Sequence, residues 1–160
     1  MNKLNFLGIG PKIAMMLIPW LAATIVLSCL HIETFKFVAE GSKMIFIAGI
    51  VLLIIGIVFY LSTVMMLMKG LKETRLMTTG TYGLCQNPLY VSLILMIIPA
   101  LSLLLNSWLI LTSGIVGYII FKRYIHHEYA ELERFFGDRY LQYKKDTPEF
   151  FPFPVKKGKK

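Results

Sequence analysis

The chain has 160 residues, of which 56% are hydrophobic and only 16% charged, and its net charge is +8. Ordinary soluble domains carry about 25% charged and about 45–50% apolar residues, so the composition excludes a typical water-soluble domain. It equally excludes a disordered chain, since no segment joins low hydrophobicity to high charge. Two cysteines, Cys29 and Cys85, are too few and too far apart for a disulfide scaffold.

The first apolar run, residues 13–30, follows Lys12. Its Val26-Leu27-Ser28-Cys29 has the outline of a lipoprotein leader, but Leu27 is a poor fit before the small residue, so the run is read as a retained span. The second, residues 44–68, contains no charged side chain. A helix of that length, rising ~1.5 Å per residue, outspans a ~30 Å hydrocarbon core. Residues 89–105 and 107–121 are separated by Asn106, a turn signal between two helical runs. Both are short, and they are expected to form a helical hairpin. Pro19 and Pro99 are expected to kink their helices, and Gly49, Gly56, Gly114 and Gly117 to permit close helix contact.

The reading is an all-α integral membrane protein, one domain over residues 1–160. It has about four transmembrane helices, the last two as a hairpin, then a C-terminal helical segment outside the membrane. The polar motif segments are 69–88 and 122–160. No span carries Asp, Glu, Lys or Arg, which argues against transport through a charged relay. Nothing alternates in the manner of strands and helices, so a nucleotide-binding parallel sheet is excluded.

Four spans put fifteen of the seventeen Lys and Arg residues on one side of the membrane. The positive-inside rule then predicts a multi-pass protein of the cell membrane with both termini cytoplasmic. On this reading the basic excess marks membrane sidedness and not a nucleic-acid partner. The Lys156–Lys160 terminus is suited to anionic lipid.

The polar chemistry falls in the two cytoplasmic segments. In the first, Gly80 and Gly83 are expected to break helix, and Asn87-Pro88 to cap and start the third span, with Tyr90 in its first turn. Free N–H groups at such a helix start suit a carboxylate. In the second segment a helix is predicted to run out of the membrane as far as Phe136. Tyr129, Leu132 and Phe136 form one stripe on it, with Glu128 and Glu131 alongside. Gly137 ends it, and a short helix follows with Tyr140 and Tyr143 on one face. Prolines 148, 152 and 154 then impose an extended tail. The aromatic cluster Phe135, Phe136, Tyr140, Tyr143, Phe150, Phe151 and Phe153 reads as an interfacial belt or as a pocket for a flat ring and a cation. His126-His127-Glu128 lacks metal-ligand spacing on a helix, so no metal is expected. No Ser–His or Cys–His pairing and no phosphate-binding glycine loop are present.

Taken in order, Gly80-Thr81-Tyr82, Gln86-Asn87-Pro88-Leu89-Tyr90, a pair of spans, Glu128-Tyr129-Ala130-Glu131-Leu132 and Phe136-Gly137-Asp138-Arg139-Tyr140 through Tyr143 form one pattern. It resembles that of the isoprenylcysteine carboxyl methyltransferases and the related membrane phospholipid methyltransferases, over roughly residues 74–154. The resemblance implies S-adenosylmethionine as methyl donor and a lipophilic acceptor, isoprenylcysteine-like or a lipid, entering from the bilayer. It also implies that Glu128 accepts the donor's ammonium group. Tyr82, Asn87, Pro88, Leu89 and Tyr90 would line the donor's pocket, near the backbone of residues 74–77. The chain departs from the pattern at three places. Arg-His of the family is Gln86-Asn87, its second glutamate is Tyr129, and the substrate-contacting arginine four residues before the first glutamate is Tyr124. Two alternatives stand beside the enzyme: a non-catalytic membrane binding or assembly protein of the same fold, and an NADPH-dependent reductase of related fold.

Overall fold

The computed structural model describes residues 9–38 and 43–150. Lys156–Lys160, Phe151, Phe153, Pro152 and Pro154 lie outside the described residues, as does Lys3. The described residues are helical, without a strand. Among the described residues three helices are long and apolar enough to cross a membrane: α1 (Gly10–Leu30), α3 (Lys43–Lys72) and α7 (Trp108–Phe136). One turn of helix, α2 (Ile32–Phe35), follows α1. The membrane character read from composition therefore holds.

The third apolar run forms a continuous helical stretch, Pro88–Leu104, shorter than α1, α3 and α7. It is built from α5 (Pro88–Val91), a π-helical segment (Ser92–Ile97) and α6 (Ile98–Leu104). Pro99 stands at the start of α6, where its missing N–H and its ring disrupt the regular hydrogen-bond ladder; the wider π turn before it accommodates the disruption. A three-residue turn links α6 to α7, and Asn106 within it takes the left-handed backbone, φ +47°. There its carbonyl accepts from the Phe37 N–H and its side-chain amide donates to the Val38 carbonyl.

The helices pack in the order α1, α7, the π–α6 stretch and α3. Lipid tails are as apolar as leucine, so small residues and interhelical hydrogen bonds, more than hydrophobicity, hold such a bundle together. On α3 the buried residues are Gly49, Gly56, Thr63 and Gly70, one every seventh position, while Ile47, Val51, Ile54, Ile55 and Val58 face outward. A Cβ on Gly56 would sit 2.9 Å from Cβ of Met96, so only glycine lets the two helices approach this closely. Between α1 and α7, Thr24 shares a hydrogen bond with Ser113 at 3.0 Å, and Ser28 with Ser107 at 2.6 Å. The close contact anticipated at Gly49, Gly56 and Gly117 is present.

α7 is one uninterrupted helix from the apolar run through the motif segment, with Ile110, Ser113, Gly117, Phe121, Ile125 and Tyr129 on its buried side. Gly137, at φ +53°, breaks it as the sequence indicated, and α8 (Asp138–Asp146) turns back with Tyr140 and Tyr143 buried. Gly83 does not act as a breaker. It lies inside α4 (Thr81–Leu84), a single turn that begins after Gly80 at φ +60°. Gly80 alone needs the left-handed backbone here, and that suffices to redirect the chain.

Candidate functional site

Two cavities meet beside Glu128. The first, of about 520 Å³, is bounded by the C-terminal end of α3, residues 74–77, the α4–α5 loop, the outer part of α7 and α8. The second, of about 530 Å³, lies between the start of α1, the middle of α3 and α5. Both fall within the ~300–1,000 Å³ usual for small-molecule sites. Glu128, Tyr82, Gln86 and Asn87 border both.

The six residues singled out from sequence are thus brought together, but they divide. Tyr82, Asn87 and Glu128 stand at the junction, whereas Pro88, Leu89 and Tyr90 line only the second cavity. Residues 74–77 line the first cavity. Thr74 adopts φ +51°, rare for a β-branched residue, and Arg75 N–H closes the end of α3 by donating to the Gly70 carbonyl at 2.8 Å. The backbone beside the first cavity is therefore held in a strained turn.

Glu128 is half-buried. It accepts a 3.3 Å hydrogen bond from the Ile9 N–H at the start of α1, and Tyr90 lines the second cavity with it. Burial raises the Tyr82 phenol well above its usual value, with the Glu128 charge adding to the effect. Tyr140 and Tyr143 are raised chiefly by burial too, and burial pushes the Cys85 thiol up to about 11. Burial thus keeps the Tyr82, Tyr140 and Tyr143 phenols on the first cavity's wall neutral, beside the Glu128 carboxyl and the Arg75 guanidinium.

Asn87 occupies the N-cap position of α5, as expected, but its side chain makes no capping bond. Its amide instead donates to the Tyr129 hydroxyl at 2.6 Å and to the Glu149 carbonyl at 2.8 Å. The Tyr129 hydroxyl donates to Glu149 Oε1 at 3.2 Å, and Lys122 Nζ pairs with Glu149 Oε2 at 2.7 Å. Gln86 joins the same segment: its N–H donates to the Pro148 carbonyl at 2.9 Å and its Nε2 to the Thr147 carbonyl at 2.6 Å. Tyr143 Oη donates to the Tyr82 carbonyl at 2.7 Å, pinning α8 to the same loop. Gln86, Asn87 and Tyr129 therefore form one network that fastens residues 144–149 to the α4–α5 loop, and Tyr124 stands outside it.

Sequence reasoning did not identify Glu149, nor the part played by α3 residues such as Leu67 and Leu71, which border both cavities. It treated the aromatic cluster as one unit, and the described part of it divides. Phe135, Phe136, Tyr140 and Tyr143 line the first cavity, while Phe150 packs on Tyr118 and Phe121 at 5.1 and 5.0 Å between ring centres. Two buried polar atoms lack a partner among the described residues, Gln86 Oε1 and the Tyr140 hydroxyl, and both residues line the first cavity. The Gln86 amide cannot be turned over to relieve this, because Nε2 faces carbonyl oxygens.

Over 78 residues, 49% of this chain, the sequence is 33% identical to a protein-S-isoprenylcysteine O-methyltransferase of Xenopus laevis. The chain spans about a quarter of that relative, 27% of its length. No protein-family profile matches the chain, and no solved structure matches it.

Proposed function

We propose that the protein is an integral membrane methyltransferase that uses S-adenosylmethionine to methylate a lipophilic acceptor. The observation that carries this reading is the pair of confluent cavities at Glu128. One is bordered by polar loops and α8, the other by the apolar sides of α1 and α3, the layout a water-soluble donor and a lipid-soluble acceptor require. The likeness to the Xenopus laevis methyltransferase supports the same reaction class.

The residues of the first cavity fit the donor. Glu128 offers a carboxylate for its ammonium group, Gln86 Oε1 an unused acceptor and Tyr140 an unused hydroxyl. The faces of Phe135 and Phe136 suit a flat ring and a sulfonium cation. When bound, the donor supplies an electrophilic methyl carbon on a positively charged sulfur. The chain's own contribution is placement. Methyl displacement needs in-line alignment in a dry site, and positioning alone supplies ~7–11 kcal/mol of a barrier. Leu67, Leu71 and Leu132 exclude water where the cavities join. The network through Gln86, Asn87 and Tyr129 keeps α8 and its tyrosines against the loop. On this reading the site opens to the cytoplasm, in the cell membrane, with both termini on that side.

A non-catalytic binding protein is the second reading, favoured by Asn87, whose amide donates to Tyr129 and to Glu149 within the protein. The two separate in nanodiscs prepared with a total membrane lipid extract and tritiated methyl donor. Incorporation of label into the lipid fraction supports the enzyme. Saturable donor binding without label in any fraction supports the binding protein.

A further inference from the structure

We infer that the acceptor is a lipophilic amine without a phosphate or carboxylate group; this deepens the reading above and rests on its donor assignment. The second cavity is long and apolar. Its wall on α3 runs from Tyr60 to Leu71, about 16 Å of helix at ~1.5 Å per residue. That length suits a hydrocarbon chain lying beside α1 and α3.

The polar end of this cavity decides the headgroup. Two carboxylates face it, Glu128 and Glu131, one helical turn apart on α7, and among the described residues no Lys, Arg or His lines it. The other polar-tipped side chains on its wall are Tyr82, Gln86, Asn87 and Tyr90, with Tyr60 at the far end of the α3 wall. With Glu128 engaged by the donor, an acceptor carboxylate or phosphate would meet the Glu131 carboxylate with no Lys, Arg or His on this cavity's wall to offset it, an arrangement that disfavours the charged form of both. An ammonium group, by contrast, finds a carboxylate and aromatic faces.

The charge flow of the reaction agrees. The bound ammonium first gives one proton to a carboxylate, which frees the nitrogen lone pair. That lone pair then forms the new N–C bond, the C–S bond breaks, and its electron pair goes to sulfur, leaving a neutral thioether; positive charge thereby moves from sulfur to nitrogen, toward the carboxylates. Glu128 is committed to the donor's ammonium and to Ile9, so Glu131, which borders only the second cavity, is the group available to hold the acceptor ammonium and receive that proton.

The test is equilibrium binding of tritiated hexadecylamine to the protein in nanodiscs of zwitterionic lipid, with hexadecanoate as charge-reversed control and empty nanodiscs subtracted. The amine is expected to bind saturably and the carboxylate not. Glu131→Gln should weaken amine binding about ten- to a hundredfold while donor affinity is unchanged. In a separate assay with tritiated methyl donor and unlabelled acceptors, label should pass to hexadecylamine and not to phosphatidylethanolamine or an S-farnesylcysteine carboxylate. Equal binding of amine and carboxylate, an unaffected Glu131→Gln variant, or transfer to the phosphate or carboxylate acceptor would overturn the inference. Amine binding that persists in a protein unable to bind S-adenosylmethionine would instead refute the donor assignment.

Discussion

The Asn87 amide donates to the Tyr129 hydroxyl across 2.6 Å, joining the loop before the third apolar run to the outer part of α7. Both residues are buried. The pair is extended by Glu149, which takes hydrogen bonds from both partners. A loop, a membrane helix and the segment after α8 thus meet at one point.

If that pair acts as a unit, its members are coupled energetically. Tyr129→Phe leaves a buried amide hydrogen without its acceptor, and Asn87→Ala leaves the phenol and the Glu149 carbonyl without their donor. Each is expected to cost about 1–3 kcal/mol. The double variant should fall short of the sum by about 0.5–3 kcal/mol. Unfolding in mixed micelles followed by tryptophan fluorescence measures all three, and strict additivity would show the contact to be incidental.

Gln86 secures the last turn of α8 and the segment after it through three bonds to carbonyls, two from its side chain and one from its backbone N–H. Gln86→Leu keeps the volume and the backbone bond but removes both side-chain donors. Limited proteolysis is expected to cut within residues 144–149 several times faster in this variant, with the cleavage mapped by intact mass. Unchanged digestion would mean that Asn87, Tyr143 and Lys122 suffice to hold the segment.

The seventh-residue spacing of Gly49, Gly56, Thr63 and Gly70 makes α3 sensitive to side-chain size on one face only. Gly56→Leu drives a side chain into Met96 and Ile97 and is expected to cost about 1–3 kcal/mol or more. Ile55→Leu, on the lipid-facing side, should be neutral within about 0.5 kcal/mol. The same micelle unfolding assay compares them.

Cys85, Tyr82, Tyr140 and Tyr143 are acids that burial keeps protonated. The folded protein therefore retains these protons to higher pH than the unfolded chain does. For Cys85 the contribution is fully present below its ordinary value of 9.0 and is lost as pH climbs toward about 11. Thermal unfolding temperature should fall steadily between pH 9 and 10.5. At pH 8, a maleimide followed by intact mass should modify Cys85 only after unfolding. Prompt modification of Cys85 in the folded protein would contradict its burial.

Much of this architecture was legible in the chain. The charge-free run 44–68 could only be a long apolar helix, and Gly137 ends α7 because the tight reversal into α8 needs its left-handed backbone. The small-residue face of α3 was half visible, in Gly49 and Gly56; Thr63 and Gly70 are recognised only once a partner helix defines the face. Of the site, Glu128 and the Gln86–Tyr90 stretch could be located because they recur in an ordered pattern. Their wiring could not. Asn87 looks locally like a helix cap, and it serves Tyr129 and Glu149 because long-range packing brings better partners within reach. Glu149, in a proline-flanked segment, carries no local signal of its place in the network.

The central claim concerns Glu128 as the anchor of a methyl donor. Calorimetric titration of the purified protein with S-adenosylmethionine, beside Glu128→Ala with its helicity checked by circular dichroism, addresses it most directly. The account predicts saturable binding by the native protein and a loss of at least about tenfold in the variant, the worth of one charge-assisted hydrogen bond. Equal affinity in the two, with the fold intact, would contradict it.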